Sequence, residues 1–387
     1  MGWNLVKRAF GGVRPGGGGL LFFGVLVACA GCFPPVPTPL PDGNVDLDPK
    51  EFPNLRIEGE PNDSFESALD VIFDGSDVGR LEGAVASVDD VDVYSLGRLL
   101  PGDRIIVDVG TATGDLDAAV AVFDSGGRIV AENDDRNYEL VQYDPFLNHV
   151  VRHESLVYYL ALSSAPANPT SGAYDVVVTL TRGGEVPAVS GQVLVLDFDG
   201  GSIDVGGRVY AVDPFDAADI SLAYDGRTTE VRQQIRDTVL ENYDGLNLDV
   251  RLIPDEASPT GIPFSTVLFG GRNSAAFGIA QAIDPYNTDD DDDAIVFTDL
   301  FTPSRFGRVL TVAELGTAIG NVASHEVGHL LGLNHTADVY DIMDTTGSAS
   351  TFLFDQDFTN AALDESIFPI GTQDSLLLLL ETLGSTP

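Results

Sequence analysis

Apolar residues recur along this chain with two different spacings, and the change from one to the other divides it. From about Ile57 to Arg182 they come in short runs: Val91–Leu96, Ile105–Val109, Ala118–Phe123, Val157–Leu162 and Tyr174–Leu180. Turn clusters such as Pro101-Gly102-Asp103 and Asp124-Ser125-Gly126-Gly127 separate them. Short apolar runs bounded by Gly, Pro, Asp and Ser read as strands, and many in succession predict an all-β sandwich. Gly183–Ser190 reads as a linker. From Gly191 onward the pattern is mixed. Val193–Phe198, Leu248–Ile253, Thr266–Phe269, Gly278–Ile283 and Ala294–Thr298 read as strands. Thr229–Tyr243 instead carries Val231, Ile235, Val239, Leu240 and Tyr243 at helical spacing. Val312, Leu315, Ile319 and Val322 predict a second helix over Thr311–Leu331, and a third covers Thr372–Leu383. The expected architecture is multidomain: a β-sandwich over 57–182, then an α+β, mixed-sheet domain over 191–387.

Charge and the first residues narrow the function classes. Twenty Lys and Arg against sixty Asp and Glu give a net charge of −40, which repels nucleic acid phosphates. A hydrophobic content of 44% excludes disorder of the whole chain. Residues 1–32 read as a processing segment, with Lys7, Arg8 and Arg14 ahead of an apolar core, Leu20–Ala28, too short to span a bilayer. Leu26-Val27-Ala28-Cys29 resembles a bacterial lipobox, in which the cysteine carries lipid; Cys32 is the alternative site, and a plain secretory signal is the other reading. Either way the chain is expected to be exported, to the cell envelope or surface as a lipoprotein or into the medium. Both cysteines fall here, so the folded part has no intramolecular disulfide. Residues 33–56 are proline-rich and read as an extended spacer.

The chemistry concentrates in Asn321–His335, which contains His325-Glu326-x-x-His329, then Gly332 and His335. On an α-helix, positions i and i+4 lie about 40° apart, so His325 and His329 share a face and can bind one zinc ion. Glu326 can then reach a metal-activated water. Continued as helix, His335 would lie roughly 9 Å further along the axis and miss the metal. A glycine at 332 can take the left-handed conformation that ends a helix and turns the chain back. An amphipathic helix with incidental surface histidines is the bland alternative. It leaves unexplained why three of five histidines fall in one motif.

This extended motif, followed by Met343 in Tyr340-Asp341-Ile342-Met343-Asp344, resembles the metzincin zinc peptidases. The resemblance implies zinc held by His325, His329 and His335, Glu326 as general base, and Met343 as a hydrophobic floor. Thr336 after the third histidine is similar to the matrixin pattern. Thr345 stands where astacins and serralysins carry a zinc-binding tyrosine, so that ligand is missing. Gly278-Ile279-Ala280-Gln281 resembles the matrixin edge strand, which takes substrate as an added antiparallel strand. Gln281 replaces the histidine of a second, structural zinc site, so a single zinc is expected. In the first domain, Glu60-Pro61-Asn62-Asp63, Asp90-Val91-Asp92-Val93-Tyr94, Leu116-Asp117 and Gly172-Ala173-Tyr174 resemble the bacterial pre-peptidase C-terminal domain, a jelly-roll-like sandwich.

Asp289, Asp290, Asp291, Asp292 and Asp293 form an unbroken acidic run ahead of the last strand. Calcium bound there and a solvated acidic loop are both open. The acids of the first domain, Asp134 and Asp135 among them, read as solvated turns. The leading expectation is an exported zinc endopeptidase acting on proteins or peptides, monomeric, touching a membrane only through its lipid. The alternatives are a surface binding or adhesion protein with a structural zinc, and a zinc hydrolase of non-peptide amides. Glu326 argues against the first alternative, because a structural site has no use for a base.

Overall fold

The computed structural model describes residues 52–111, 116–137, 140–273 and 275–386. The lipidation candidates Cys29 and Cys32 and most of the proline-rich spacer lie outside the described residues. The chain divides into two compact units, one running to Ala188 and including Phe368–Gly371, the other Val189–Ile367 with Thr372 onward.

The first unit is β throughout. Its strands are β1 (Leu55–Ile57), β2 (Leu69–Asp70), β3 (Val78–Val85), β4 (Val91–Leu99), β5 (Arg104–Gly110) and β6 (Ala118–Phe123). β7 (Ile129–Asn133), β8 (Phe146–Val150), β9 (Ser155–Ser164) and β10 (Gly172–Thr181) complete it. They form two five-stranded sheets, ordered β1-β3-β10-β5-β8 and β2-β4-β9-β6-β7. Alternate residues of both sheets meet in one core, Leu81, Val107 and Val176 from the first and Tyr94, Val120 and Leu160 from the second, all fully buried.

The second unit is built on a mixed sheet. β11 (Gln192–Asp197) leads into a hairpin of β12 (Gly201–Val205) and β13 (Arg208–Val212), then helix α1 (Thr228–Asn242). β14 (Leu248–Ile253), β15 (Ser265–Phe269), β16 (Gly278–Ala280) and β17 (Asp293–Val296) follow. Helix α2 (Val312–Leu330), the short pair β18 (Asn360–Ala362) and β19 (Thr372–Asp374), and α3 (Ser375–Leu383) end the chain. The sheet order is β14-β11-β15-β17-β16; only β16 runs antiparallel to its neighbour, and it forms the edge. Leu194, Val267 and Ile295 of the sheet and Ile235 and Ile319 of the helices are buried in one core. The hairpin was not foreseen, because only Ile203, Val205 and Val212 of its ten residues are buried and the apolar signal is faint. The strand expected to reach Ile283 stops at Ala280, where the Gln281 side chain accepts from Asp293 N at 2.6 Å. The last helix starts at Ser375 because Thr372–Asp374 pairs with Asn360–Ala362 and Asp374 caps the helix through Leu377 N.

The aspartate run splits in two. Asp289, Asp290 and Asp291 are exposed, whereas Asp292 is buried and accepts from Ser265 Oγ at 3.0 Å. Asp293 accepts from Thr266 N at 2.9 Å. No three carboxylates of the run converge as metal ligands do among the described residues, and that geometry gives calcium no support. Burial pushes the Asp292 carboxyl up to about 8 against the Ser265 hydrogen bond. The folded chain therefore holds this proton more tightly than the unfolded one. Stability is fully present in acid and falls as pH rises towards and through 8. Melting of the second unit should shift down by several degrees between pH 6 and 9, and Asp292→Asn should reduce that slope. An unchanged slope in the variant would exclude Asp292 as its source.

Candidate active site

α2 carries the motif, and its position is set locally. Thr311 Oγ1 accepts from Glu314 N at 3.2 Å while Glu314 Oε2 accepts from Thr311 N at 2.8 Å, a capping box that fixes the helix start. Gly320 lets α1 approach closely, since a Cβ there would sit 2.6 Å from Thr238 Cβ. Asn242 Nδ2 then donates to Asn321 Oδ1 and Ser324 Oγ, both at 3.0 Å, and Tyr243 OH donates to Ser324 O at 2.9 Å. The turn before His325 is clamped on this side.

The end of the helix is equally determined. Gly332 has φ +93°, its N–H donates to His329 O at 2.9 Å, and Leu333 N donates to Gly328 O at 2.8 Å. Any Cβ at 332 would lie 2.8 Å from Asp284 O and Pro285 Cα. The chain reverses there and brings His335 back. His325 Nε2 and His335 Nε2 lie 3.1 and 3.0 Å from His329 Nε2. His325 Nδ1 donates to Ile342 O at 2.7 Å and His329 Nδ1 to Leu333 O at 2.8 Å. Those bonds fix the tautomers, so the Nε2 atoms of both rings present lone pairs to a common point. Burial holds His325 well below the ordinary histidine range and brings His329 down to about 4, so both are neutral.

Lone pairs this close repel unless a cation lies between them. Zinc with tetrahedral bonds of about 2.0–2.1 Å spaces its nitrogen ligands by about 3.3 Å, near the observed separations. The donor set fits zinc. Met343, fully buried, packs on the same helix, its Sδ 2.5 Å from where a Cβ on Gly328 would stand. Asp341 shapes the Met343 turn, its Oδ1 accepting from Met343 N at 2.8 Å and its Oδ2 from Thr359 N at 2.9 Å.

Glu326 is fully buried, and neither carboxylate oxygen has a hydrogen-bond partner. Burial raises its carboxyl well above the ordinary range; the Ala280 N–H eases this without reaching hydrogen-bond geometry. Gly278 is the other neighbour: a Cβ there would stand 2.7 Å from the Glu326 carboxylate carbon. Phe297 N donates to Phe277 O and Gln281 N to Asp293 O, so the residues between them alternate. Gly278 and Ala280 therefore turn their backbone polar groups to the free side of β16, towards Glu326. Ile279 is buried opposite Ile295. The Gln281 side chain points elsewhere, donating to Asp204 O at 2.9 Å and accepting from Asp293 N.

Residues 265–361 match the family model described as Matrixin, Peptidase_M10. The matched quarter of the chain spans β15 into β18 and contains the three histidines, Glu326, Gly332, Met343 and β16. No curated protein matches. Among solved structures, archaemetzincin from Methanopyrus kandleri is similar at 14% identity over 50% of this chain and 95% of its own, with a TM-score of 0.26. A zinc-dependent peptidase from Methanocorpusculum labreanum gives 14%, 49%, 100% and 0.24 in the same terms. The pre-peptidase C-terminal domain of collagenase from Bacillus anthracis gives 13%, 32%, 100% and 0.23. The chemistry rests on the chain's own residues rather than on likenesses this distant.

Among the described residues of the first unit, two groupings of acids are not the solvated turns that the sequence suggests. Glu58, Glu60 and Asp92, and Glu60, Asp63 and Asp90, bring carboxylate oxygens within 4.8 Å of one another. Burial pushes Asp92 up to about 7 although Tyr174 OH and Asn62 Nδ2 donate to it. The available signal was Glu58-x-Glu60-Pro61-Asn62-Asp63. Such groupings are common on acidic surfaces without an ion.

Gly332→Ala tests how the site is closed. It combines an unfavourable φ with a backbone collision and should cost about 1–3 kcal/mol or more. Zinc retention by the purified variant should fall; full retention would show that His335 reaches the other rings without this turn.

Proposed function

We propose that this chain is a zinc-dependent endopeptidase that hydrolyses peptide bonds in proteins. The matrixin match supports a zinc metallopeptidase, and one observation carries the rest. Three imidazoles converge beside a buried, unpaired carboxylate at the free edge of a strand. His325, His329 and His335 would hold one zinc, with Ile342 O and Leu333 O orienting the first two rings. Zinc bound there supplies Lewis acidity, polarising the scissile carbonyl and acidifying the attacking water.

The chain's own residues do the rest. Gly278 and Ala280 offer an extended peptide the ladder of an added antiparallel strand, which sets its carbonyl beside Glu326. Glu326 takes a proton from the attacking water and later gives it to the leaving amine. Burial raises the proton affinity of this carboxylate, which strengthens it as a base. Met343 packs on Gly328, the residue before His329 in α2. Export, with lipid on Cys29 or Cys32, belongs to the same proposal and is supported by the apolar segment and lipobox-like run.

The deciding experiment uses the zinc-loaded full chain on casein and on peptides. Wild type should carry one zinc and cut, and chelation should stop cleavage reversibly. Glu326→Gln should keep the zinc and lose roughly 10²–10⁴-fold in kcat/KM, the range of a general acid–base group. Retained activity in that variant, or zinc binding by wild type without cleavage of any peptide, would overturn the proposal.

A further inference from the structure

The edge strand β16 beside Glu326 begins at a cluster of aromatic rings. Phe277, immediately before β16, is buried, and its ring meets Phe352 edge-on, centroids 4.9 Å apart at 79°. Phe301 backs the pair, 5.1 Å from Phe277. Phe352 comes from the single 3-10 turn Thr351–Leu353 that follows the Met343 turn. Asn321, one helical turn before His325, pins that turn, its Nδ2 donating to Phe352 O and Phe354 O, both at 3.1 Å. The Phe352 ring thus bridges from α2 to the start of the edge strand. His325, Glu326, His329 and His335 are each at most 1% exposed, in keeping with a narrow mouth.

Strand direction says which part of a substrate this affects. A peptide pairing antiparallel to β16 runs from the Ala280 end towards Phe277. Its carbonyl to be cut lies at Glu326, so the residue after the scissile bond arrives where Phe352 stands. Resting on the peptidase reading, we infer that Phe352 is a specificity-determining residue: it fills the space that side chain would enter. The chain then selects Gly, Ala or Ser after the scissile bond. Ordinary core packing makes a different prediction, a loss of stability with no change in preference.

The test compares wild type, Phe352→Ala and Phe352→Val as full chains. Zinc-loaded protein is given peptides that differ only in the residue after the scissile bond. Metal-free protein is titrated calorimetrically with the same peptides, a readout that needs no turnover. Wild type should favour Ala over Leu there, and Phe352→Ala should raise the Leu-to-Ala ratio of kcat/KM roughly tenfold or more. Phe352→Val should shift it less, and the Leu peptide should bind the metal-free Ala variant more tightly. If the Ala variant does not melt cooperatively, the Val variant is read by the same criteria. An unchanged ratio, or a wild type already preferring Leu or Phe, overturns the inference while leaving the peptidase reading intact. A binding shift without any cleavage by wild type supports the space-filling role and removes the peptidase reading instead.

Discussion

Imidazole nitrogens crowded to about 3 Å in a dry interior are a debt the rest of the second unit is arranged around. The Nε2 lone pairs of His325 and His329 repel at that distance, charged rings would repel more, and a cation at the meeting point relieves both. Everything nearby serves to hold that unfavourable grouping in place. The capping box starts α2, the close approach of α1 clamps it one turn before His325, and Gly332 reverses the chain within the space left by Asp284 and Pro285. Carbonyl acceptors at Ile342 and Leu333 then aim the first two rings. A fold that stabilised itself alone would not bury this set, nor leave Glu326 without a hydrogen bond.

How much of this could be read from the sequence depended on how local each feature is. The histidines, Glu326 and Gly332 were legible because helix geometry and one glycine fix their relation within a few residues, whereas Met343 was legible only through the resemblance to the metzincins. Strands such as Ala118–Phe123 and Leu248–Ile253 were legible because they bury continuous or alternating apolar runs. The β12–β13 hairpin was not, its exposed face giving polar residues where a strand signal was sought. Phe352 was beyond reach for another reason: nothing in the run around it reveals that the fold sets it against Phe277. The acidic run was misleading in the same way, since burial separates Asp292 from its exposed neighbours only once Ser265 lies beside it.

The first unit repeats the point with a different outcome. Its sheets and their apolar core follow the periodicity closely, yet the buried Asp92, Tyr94 and Tyr174 network needed coordinates. Tyr174 OH donates to Asp92 Oδ2 at 2.8 Å and lies 2.7 Å from Tyr94 OH. These residues sit on β4 and β10, in different sheets, so no window of sequence contains the contact.

Gln281 carries one more consequence. Its amide ties the end of the edge strand to Asp204 on the hairpin and to Asp293 at the next strand. Hydrogen bonds of this kind do not come and go with the supply of ions. Protein atoms alone therefore set where β16 stops, and the strand that flanks Glu326 is anchored at that end independently of the three rings.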